Sequence, residues 1–317
     1  MIPEQPHREF QLKPLGWTGP EAEWIALVCR HSGLFTRSQF CSYLHARPHR
    51  ARRFVRCLRD RRQAVEENLA SLPAAARPCR ISGKAIYRAL GIENVRHRHT
   101  ASGPVLMRRL LALDYILEHP QERWLNSEQE KVAVFDDLDI PRQFLPRRYC
   151  TRKEMVWVRY FPQELPISIS PGKATFVYAD SGSGRVGNMV SWGSAHAPLW
   201  RALQQNGIRT RVVAVARDDA GLAQDNRLLR RWTRGQWPKA CRPLTSDEEQ
   251  EMEEIRLAFF RSDWKALERW GGPQSALFHQ RELKRRPAFE NTESGFRIDR
   301  GDSWRSQRLS LPGTDPS

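Results

Sequence analysis

The sequence predicts an α+β protein, with a helical N-terminal unit closed by a β ribbon, a helical connector and a small C-terminal α/β domain. Three observations predict it. Between Ala46 and Glu67, Ala51, Phe54, Val55 and Leu58 recur at helical spacing on an otherwise arginine-rich stretch. Helix signals precede that stretch, and two short strand-like runs separated by a loop follow it. From Met155 onward, runs such as Thr175-Phe176-Val177-Tyr178-Ala179 replace helical spacing with strand character.

At 317 residues the chain is long enough for more than one compact unit. Its formal net charge is +16, which points to an anionic partner, with nucleic acid first. Arginine outnumbers lysine, and a GC-rich genome alone can cause that, so the position of the charge matters more than its total. The six cysteines, Cys29, Cys41, Cys57, Cys79, Cys150 and Cys241, form no CxxC pair, which argues against a zinc ribbon or finger. No signal-peptide pattern opens the sequence and no apolar run is long enough to span a bilayer, so the expectation is a cytoplasmic, nucleoid-associated protein with reduced thiols.

Residues 1–20, rich in proline and polar side chains, read as a tail. A helix follows over Glu21–His31, with Trp24, Ile25, Leu27 and Val28 inward and Gly33 after its end. Thr36 can cap the next helix, Arg37–His45. The arginine helix comes third. Pro48 suits its first turn, where the missing N–H needs no partner. His49, Arg52, Arg53, Arg56 and Arg59 share the side opposite the apolar stripe. Ala64-Val65-Glu66 and Pro78-Cys79-Arg80-Ile81 read as strands flanking a loop, and Ser82 can cap a helix that Gly91 stops.

Three helices, a two-stranded ribbon and a closing helix, residues 21–91, are the parts of a winged helix-turn-helix, in which the third helix enters the major groove. This segment holds fourteen basic residues against five acidic ones, more than half of the excess charge in under a quarter of the length. The expected DNA contacts are Arg52, Arg53, Arg56 and Arg59 with His49 beside them, and Arg47, Arg50, Arg77 and Arg80 on phosphates. A winged helix used only for protein contacts is the alternative.

Residues 92–150 read as a helical connector. Leu106, Leu110, Leu113 and Leu117 form a stripe, widened by Met107, Leu111 and Ile116, that suits a core or a dimer seam. Ser127-x-x-Glu130 is a capping box. Residues 151–286 read as the α/β domain: strands at Met155–Val158, Leu165–Ile169 and Thr175–Ala179, a helix Val186–Gln205, a strand Arg211–Ala216, a helix Gly221–Trp232, and a last helix from Ser246 to Trp270. Polar, aperiodic residues 287–317 are expected to be disordered.

Few side-chain sets carry chemistry. Gly182-Ser183-Gly184-Arg185-Val186-Gly187 fits GxGxxG between a strand and a helix, but the strand does not open its domain and the following acids, Asp218 and Asp219, come too late, so a loop is the better reading. Asp180, at a strand end, could hold Mg²⁺ as in PD-(D/E)xK nucleases, yet Glu164 and Lys173 precede it in the wrong order; capping a turn is the simpler role. His97 with His99, the Cys41, His45 and His49 set, and Ser191, Ser194 and His196 complete no metal or nucleophile arrangement. No cofactor and no metal are expected.

Residues 21–91, together with Arg108-Arg109-Leu110-Leu111-Ala112-Leu113-Asp114, Trp124-Leu125, Glu130-Lys131-Val132, Leu145-Pro146-Arg147-Arg148-Tyr149 and Phe176-Val177-Tyr178-Ala179-Asp180, resemble the replication-relaxation family, winged-helix proteins of plasmids and integrative elements. The resemblance implies duplex DNA binding in plasmid or mobile-element biology, as a regulator or accessory factor in replication, transfer or recombination. It further implies a nuclease-like C-terminal fold, possessing no acid-x-lysine element here and therefore catalytically empty. A homodimer and a recombinase or relaxase partner fit that setting. The rival from another class is a metal-dependent nuclease centred on Asp180.

Overall fold

The computed structural model describes residues 8–73, 76–152, 155–182, 186–237, 246–285 and 296–309. The protein is mixed α and β, and it divides into two compact units: residues 1–234 with 298–317, and residues 235–297.

The first unit begins with a 3-10 segment, Arg8–Leu15, and helix α1, Gly19–His31, which has Pro20 in its first turn and Trp24, Ile25 and Val28 buried. Strand β1 is Leu34–Phe35 and helix α2 is Arg37–Tyr43. Thr36 and Gln39 form the capping box of α2, each side chain bonding the other's backbone N–H. Helix α3, Pro48–Asp60, buries Ala51, Phe54, Val55 and Leu58, the apolar stripe read from the sequence. Strands β2, Ala64–Glu66, and β3, Cys79–Ile81, pair antiparallel, and β1 adds to the other side of β3, so the order is β1-β3-β2. Helix α4, Lys84–Ala89, follows; Gly83 rather than Ser82 occupies its N-cap. Phe54 and Phe40 stack at 4.4 Å, and Trp17 and Trp24 meet the same aromatic group edge-on.

Helix α5, Gly103–Glu118, is not a connector. Nine of its residues are buried, from Leu106 to Ile116, because it is covered on two sides. One side meets α1 and β1, and Leu113 joins the N-terminal core. The other lies on a five-stranded sheet, at strands β8, Lys173–Ala179, and β9, Arg209–Ala216. The leucine stripe is therefore core.

That sheet has the order β10-β9-β8-β7-β4. Strand β4, Trp124–Leu125, and strand β7, Ile167–Ser170, pair antiparallel, as do β7 and β8; β8, β9 and β10 are parallel. Between β4 and β7 lie helix α6, Glu128–Asp137, capped by Ser127, and a separate ribbon of β5, Arg147–Arg152, with β6, Met155–Tyr160. The strand at Met155 thus belongs to this ribbon, its partner being a segment expected in the connector. Helix α7, Val186–Gln205, makes the β8–β9 crossover with the bounds read from the sequence, and α8, Asp219–Thr233, follows β9.

Strand β10, Arg300–Arg305, corrects the expectation of disorder over residues 287–317 within the described part, 296–309. It pairs along the whole of Arg211–Ala216. Its sequence, Arg-Gly-Asp-Ser-Trp-Arg, lacks an apolar run because its pairing partner and specific polar groups hold it. Arg211 bonds Asp302 at 2.6 Å, and Arg217 donates to the Leu309 carbonyl at 3.0 Å. Gly301 lies so close to Leu229 that a Cβ there would stand 2.9 Å away. Beyond the strand, Ser306 donates to Asp114 of α5, whose other oxygen accepts from Gln39 Nε2 at 3.0 Å and faces Arg308 at 3.4 Å.

In the second unit the expected helix to Trp270 is broken. Helix α9 is Ser246–Arg261; Ser262 is left-handed, a 3-10 turn spans Ala266–Trp270, and helix α10 is Pro273–Arg285. Ile255, Ala258, Leu267 and Ala276 form its small core, and Trp270 Nε1 donates to Glu251 at 2.8 Å.

Two stability outcomes follow from the Asp114 contacts. Asp114→Ala should lower unfolding stability by about 3 kcal/mol, since it strands buried polar partners, and a chain ending before Ile298 should lose its cooperative thermal transition in near-ultraviolet circular dichroism. Wild-type melting in either variant would contradict this account of the core.

Candidate nucleic-acid interface

Helix α3 presents its arginines because its other side is consumed by the core. The side chains of Arg52, Arg53 and Arg56 are exposed and make no hydrogen bond or ion pair among the described residues, and those of exposed Arg47 at the N-cap and His49 stand likewise. Arg50 is exposed but reaches Glu21 at 3.4 Å. Arg59 is exposed and pairs with Glu66 at 2.9 Å, a carboxylate that also receives Arg37. Arg61 is committed elsewhere: it donates to the carbonyls of Leu15 and Gly16 and lies over the Trp17 ring, 4.7 Å from its centroid. Between α3 and Trp17 is a recess of about 410 Å³ edged by His49, Arg50 and Arg53.

The two ribbon arginines part company. Arg77 is exposed, beside residues 74–75 of the loop, which lie outside the described residues. Arg80 is buried, with its side chain only 8% exposed. It donates to Glu67 and, at 2.7 Å, to the Arg98 carbonyl. Arg80 is therefore a strut between β3 and the segment after α4, not a phosphate contact. Middle-strand pairing puts its side chain under the ribbon, and residue type alone does not report that.

The acidic edge is a second place where the sequence raised chemistry. Asp180 follows β8, and its Oδ1 accepts the Gly182 N–H at 3.1 Å, the turn-capping role. Asp218 caps α8 by accepting from Gly221 at 2.8 Å. A Cβ on Gly221 would lie 3.3 Å from Asp218 Oδ1 and 3.4 Å from Asp180 Oδ2, so this glycine lets α8 start between the two carboxylates. Asp225, on α8, is buried, and its Oδ2 has no hydrogen-bond partner among the described residues. Burial first, and the Asp180 charge second, push its carboxyl up to about 7; burial also raises Asp180.

Among the described residues, Lys173 and Glu164 do not join Asp180. Lys173 begins the strand that Asp180 follows, roughly 20 Å away at strand rise, and faces Glu122. Glu164 serves Arg159 and Arg109. Among the described residues no group of three or more His, Cys, Asp or Glu side chains is placed to hold a metal ion. His97 is buried and donates to the Cys29 carbonyl, with burial lowering its pKa to about 4, whereas His99 is exposed. His196 is core: it donates to the Trp192 carbonyl at 2.8 Å among Trp192, Trp200 and Phe176, and burial lowers its pKa to about 3. Helix α2 ends before His45, which is left-handed, so Cys41, His45 and His49 do not share a helix. Ser183, Gly184 and Arg185 of the glycine-rich loop lie outside the described residues.

The described cysteines, Cys29, Cys41, Cys57, Cys79 and Cys150, are free; Cys241 is outside the described residues. No described helix is long and apolar enough to cross a membrane. No family model, curated protein or solved structure matches this chain. Arg108-Arg109 and Arg147-Arg148 are adjacent arginine pairs far apart in sequence, and only the tertiary structure brings them to one cleft.

Asp225 sets a pH dependence. Its folded pKa of about 7 stands above the ordinary 3.8, so the folded state holds the proton more tightly. The stability this supplies is complete below about pH 4 and is lost as pH rises through about 7. Asp225→Asn, neutral throughout, should melt above wild type at about pH 8 and close to it at about pH 4; an equal offset at both would refute the burial of a titrating carboxyl.

Proposed function

We propose that residues 21–91 act as a winged helix-turn-helix that docks duplex DNA through α3. The observation that carries the reading is the set of Arg52, Arg53 and Arg56, exposed and without protein partners among the described residues, on a helix whose opposite side is buried. The chain order α1, β1, α2, α3, β2, β3 and the antiparallel sheet β1-β3-β2 support it. Thirteen residues of helix span about 20 Å, and a major groove about 12 Å wide admits such a helix.

In this reading Arg52, Arg53 and Arg56 reach base edges and phosphates, with His49 at the N-terminal end of the same surface. Arg47, Arg50 and Arg77 neutralise flanking phosphates. Arg59 joins by exchanging Glu66 for a phosphate oxygen, a surface pair worth little on its own. The five-stranded sheet and its helices serve assembly or partner recruitment. Through its resemblance to replication-relaxation proteins, we place the protein in plasmid or mobile-element biology, as an accessory factor or regulator. A second copy and a recombinase or relaxase are the proposed protein partners.

Fluorescence anisotropy with a labelled duplex, titrated from low to moderate salt, tests this. Wild type should bind with a steep log–log salt dependence, and Arg52→Ala/Arg56→Ala should weaken binding at least tenfold and reduce the slope by about 2, one unit per lost phosphate contact. Unchanged affinity and slope in that variant would reject α3 as the docking helix.

A further inference from the structure

A cleft of about 840 Å³ lies in the first unit, lined by the 3-10 turn after α4, by α5, β5, the segment from Phe161 into β7, β8 and α7. Its size falls in the range, roughly 300–1,000 Å³, of pockets that enclose a small ligand. Arg96 comes from the 3-10 turn after α4, Arg108 and Arg109 from α5, and Arg147 and Arg148 from β5. Phe161 and Trp192, on the loop after β6 and on α7, line its apolar part.

The charge in this cleft is unbalanced. Among the described residues Glu164 is its one carboxylate, and it already accepts from Arg159 and lies 3.8 Å from Arg109. The side chains of Arg96, Arg108 and Arg148 make no hydrogen bond or ion pair among the described residues, and Arg108 lies within reach of the Asp180 charge. Arg109 is half-buried; burial lowers its pKa most, Glu164 opposes that, and Arg96 and Arg108 add like-charge repulsion. Guanidiniums gathered in a concavity at mutual cost are relieved by an anion with several oxygens.

The cleft wall is also held in a costly backbone shape. Phe161 and Glu164 have φ of 46° and 54°, in the left-handed region that residues with a Cβ rarely adopt. The Phe161 N–H is anchored to the Pro146 carbonyl at 2.7 Å, next to Arg147. Two such residues three apart fix an aromatic ring and the carboxylate beside the arginines, the pattern of strain retained at binding sites. Arg80 contributes from behind, since its bond to the Arg98 carbonyl holds the turn that carries Arg96.

We propose that this cleft binds the phosphate chain of a nucleotide, with Arg96, Arg108 and Arg148 on phosphate oxygens and the base or sugar against the Phe161 and Trp192 wall. The arginines come from three elements around a cleft too wide for one small anion, which favours linked phosphates over a lone carboxylate. The nucleotide can be free or the 5′ end of a nucleic-acid strand; both present the same chemistry. This site is independent of docking through α3.

The test uses the full chain and two fluorescent probes, a labelled ATP analogue and a 5′-phosphorylated tetrathymidylate, with its 5′-hydroxyl form as comparison. At least one phosphorylated probe should bind saturably and be displaced by inorganic tripolyphosphate. Arg148→Ala, at an exposed position, should weaken binding several-fold, and Arg108→Ala/Arg148→Ala at least tenfold. Lysine at both positions should recover part of the loss by retaining charge without the guanidinium fork. Arg52→Ala/Arg56→Ala should bind as wild type. Binding of the ATP analogue identifies a free nucleotide, and binding of the phosphorylated oligonucleotide alone identifies a strand end. Failure of both probes to saturate, wild-type affinity in Arg148→Ala and the double alanine variant, or loss through the α3 substitutions would overturn the proposal.

Discussion

The carboxylate of Asp114 is the point on which the first unit depends. It is fully buried on α5, and its partners come from parts of the chain far apart in sequence: Gln39 on α2, and Ser306 and Arg308 just past β10. Burial raises its pKa, while those hydrogen bonds and the Arg308 charge act against the rise. A buried charge is tolerated only when its partners are in place, so this one group ties the position of α2 to that of the last strand. Arg308 extends the tie to Ser42 and Glu118. The helix that presents Asp114 is apolar on both sides, which is why the N-terminal elements and the five-stranded sheet share one compact unit instead of two.

The formal charge of +16 is a sum over arginines in different physical states. Arg80, Arg61 and Arg211 bond carbonyls or carboxylates of their own chain and act as structural fasteners. Arg59 and Arg50 occupy exposed pairs that solvent and salt weaken. Arg52, Arg53 and Arg56 on one surface, and Arg96, Arg108 and Arg148 around one cleft, remain uncommitted among the described residues. Genome composition can supply arginines but does not sort them by partner. Their gathering in two places is a property of the fold.

The acidic edge illustrates the reverse. Asp180 and Asp218 each cap a backbone N–H, and Asp225 is buried without a full set of partners. A lysine belonging to a nuclease set would have to stand beside them, but Lys173 is at the far end of β8. These carboxylates organise the start of α8 and the loop after β8. Their cost appears in the protonation of Asp225.

The sequence by itself determined the local elements whose cause is local. Pro48 and the Ala51, Phe54, Val55, Leu58 stripe marked α3, Thr36 marked the start of α2, and α7 ran between the expected bounds, because periodicity and capping are written in neighbouring residues. It also indicated the exposed side of α3, since a buried stripe leaves its opposite side to solvent. The tertiary structure decided what depended on distant partners. Strand β10 has no apolar run and is held by β9 and by Asp114; the ribbon pairs Met155–Tyr160 with a stretch that reads as connector; Arg80 is a strut although its residue type resembles that of its exposed neighbours. The arginine cleft, its arginines drawn from three separate elements, was least legible of all, because charge density is a matter of spatial proximity and sequence order carries little of it.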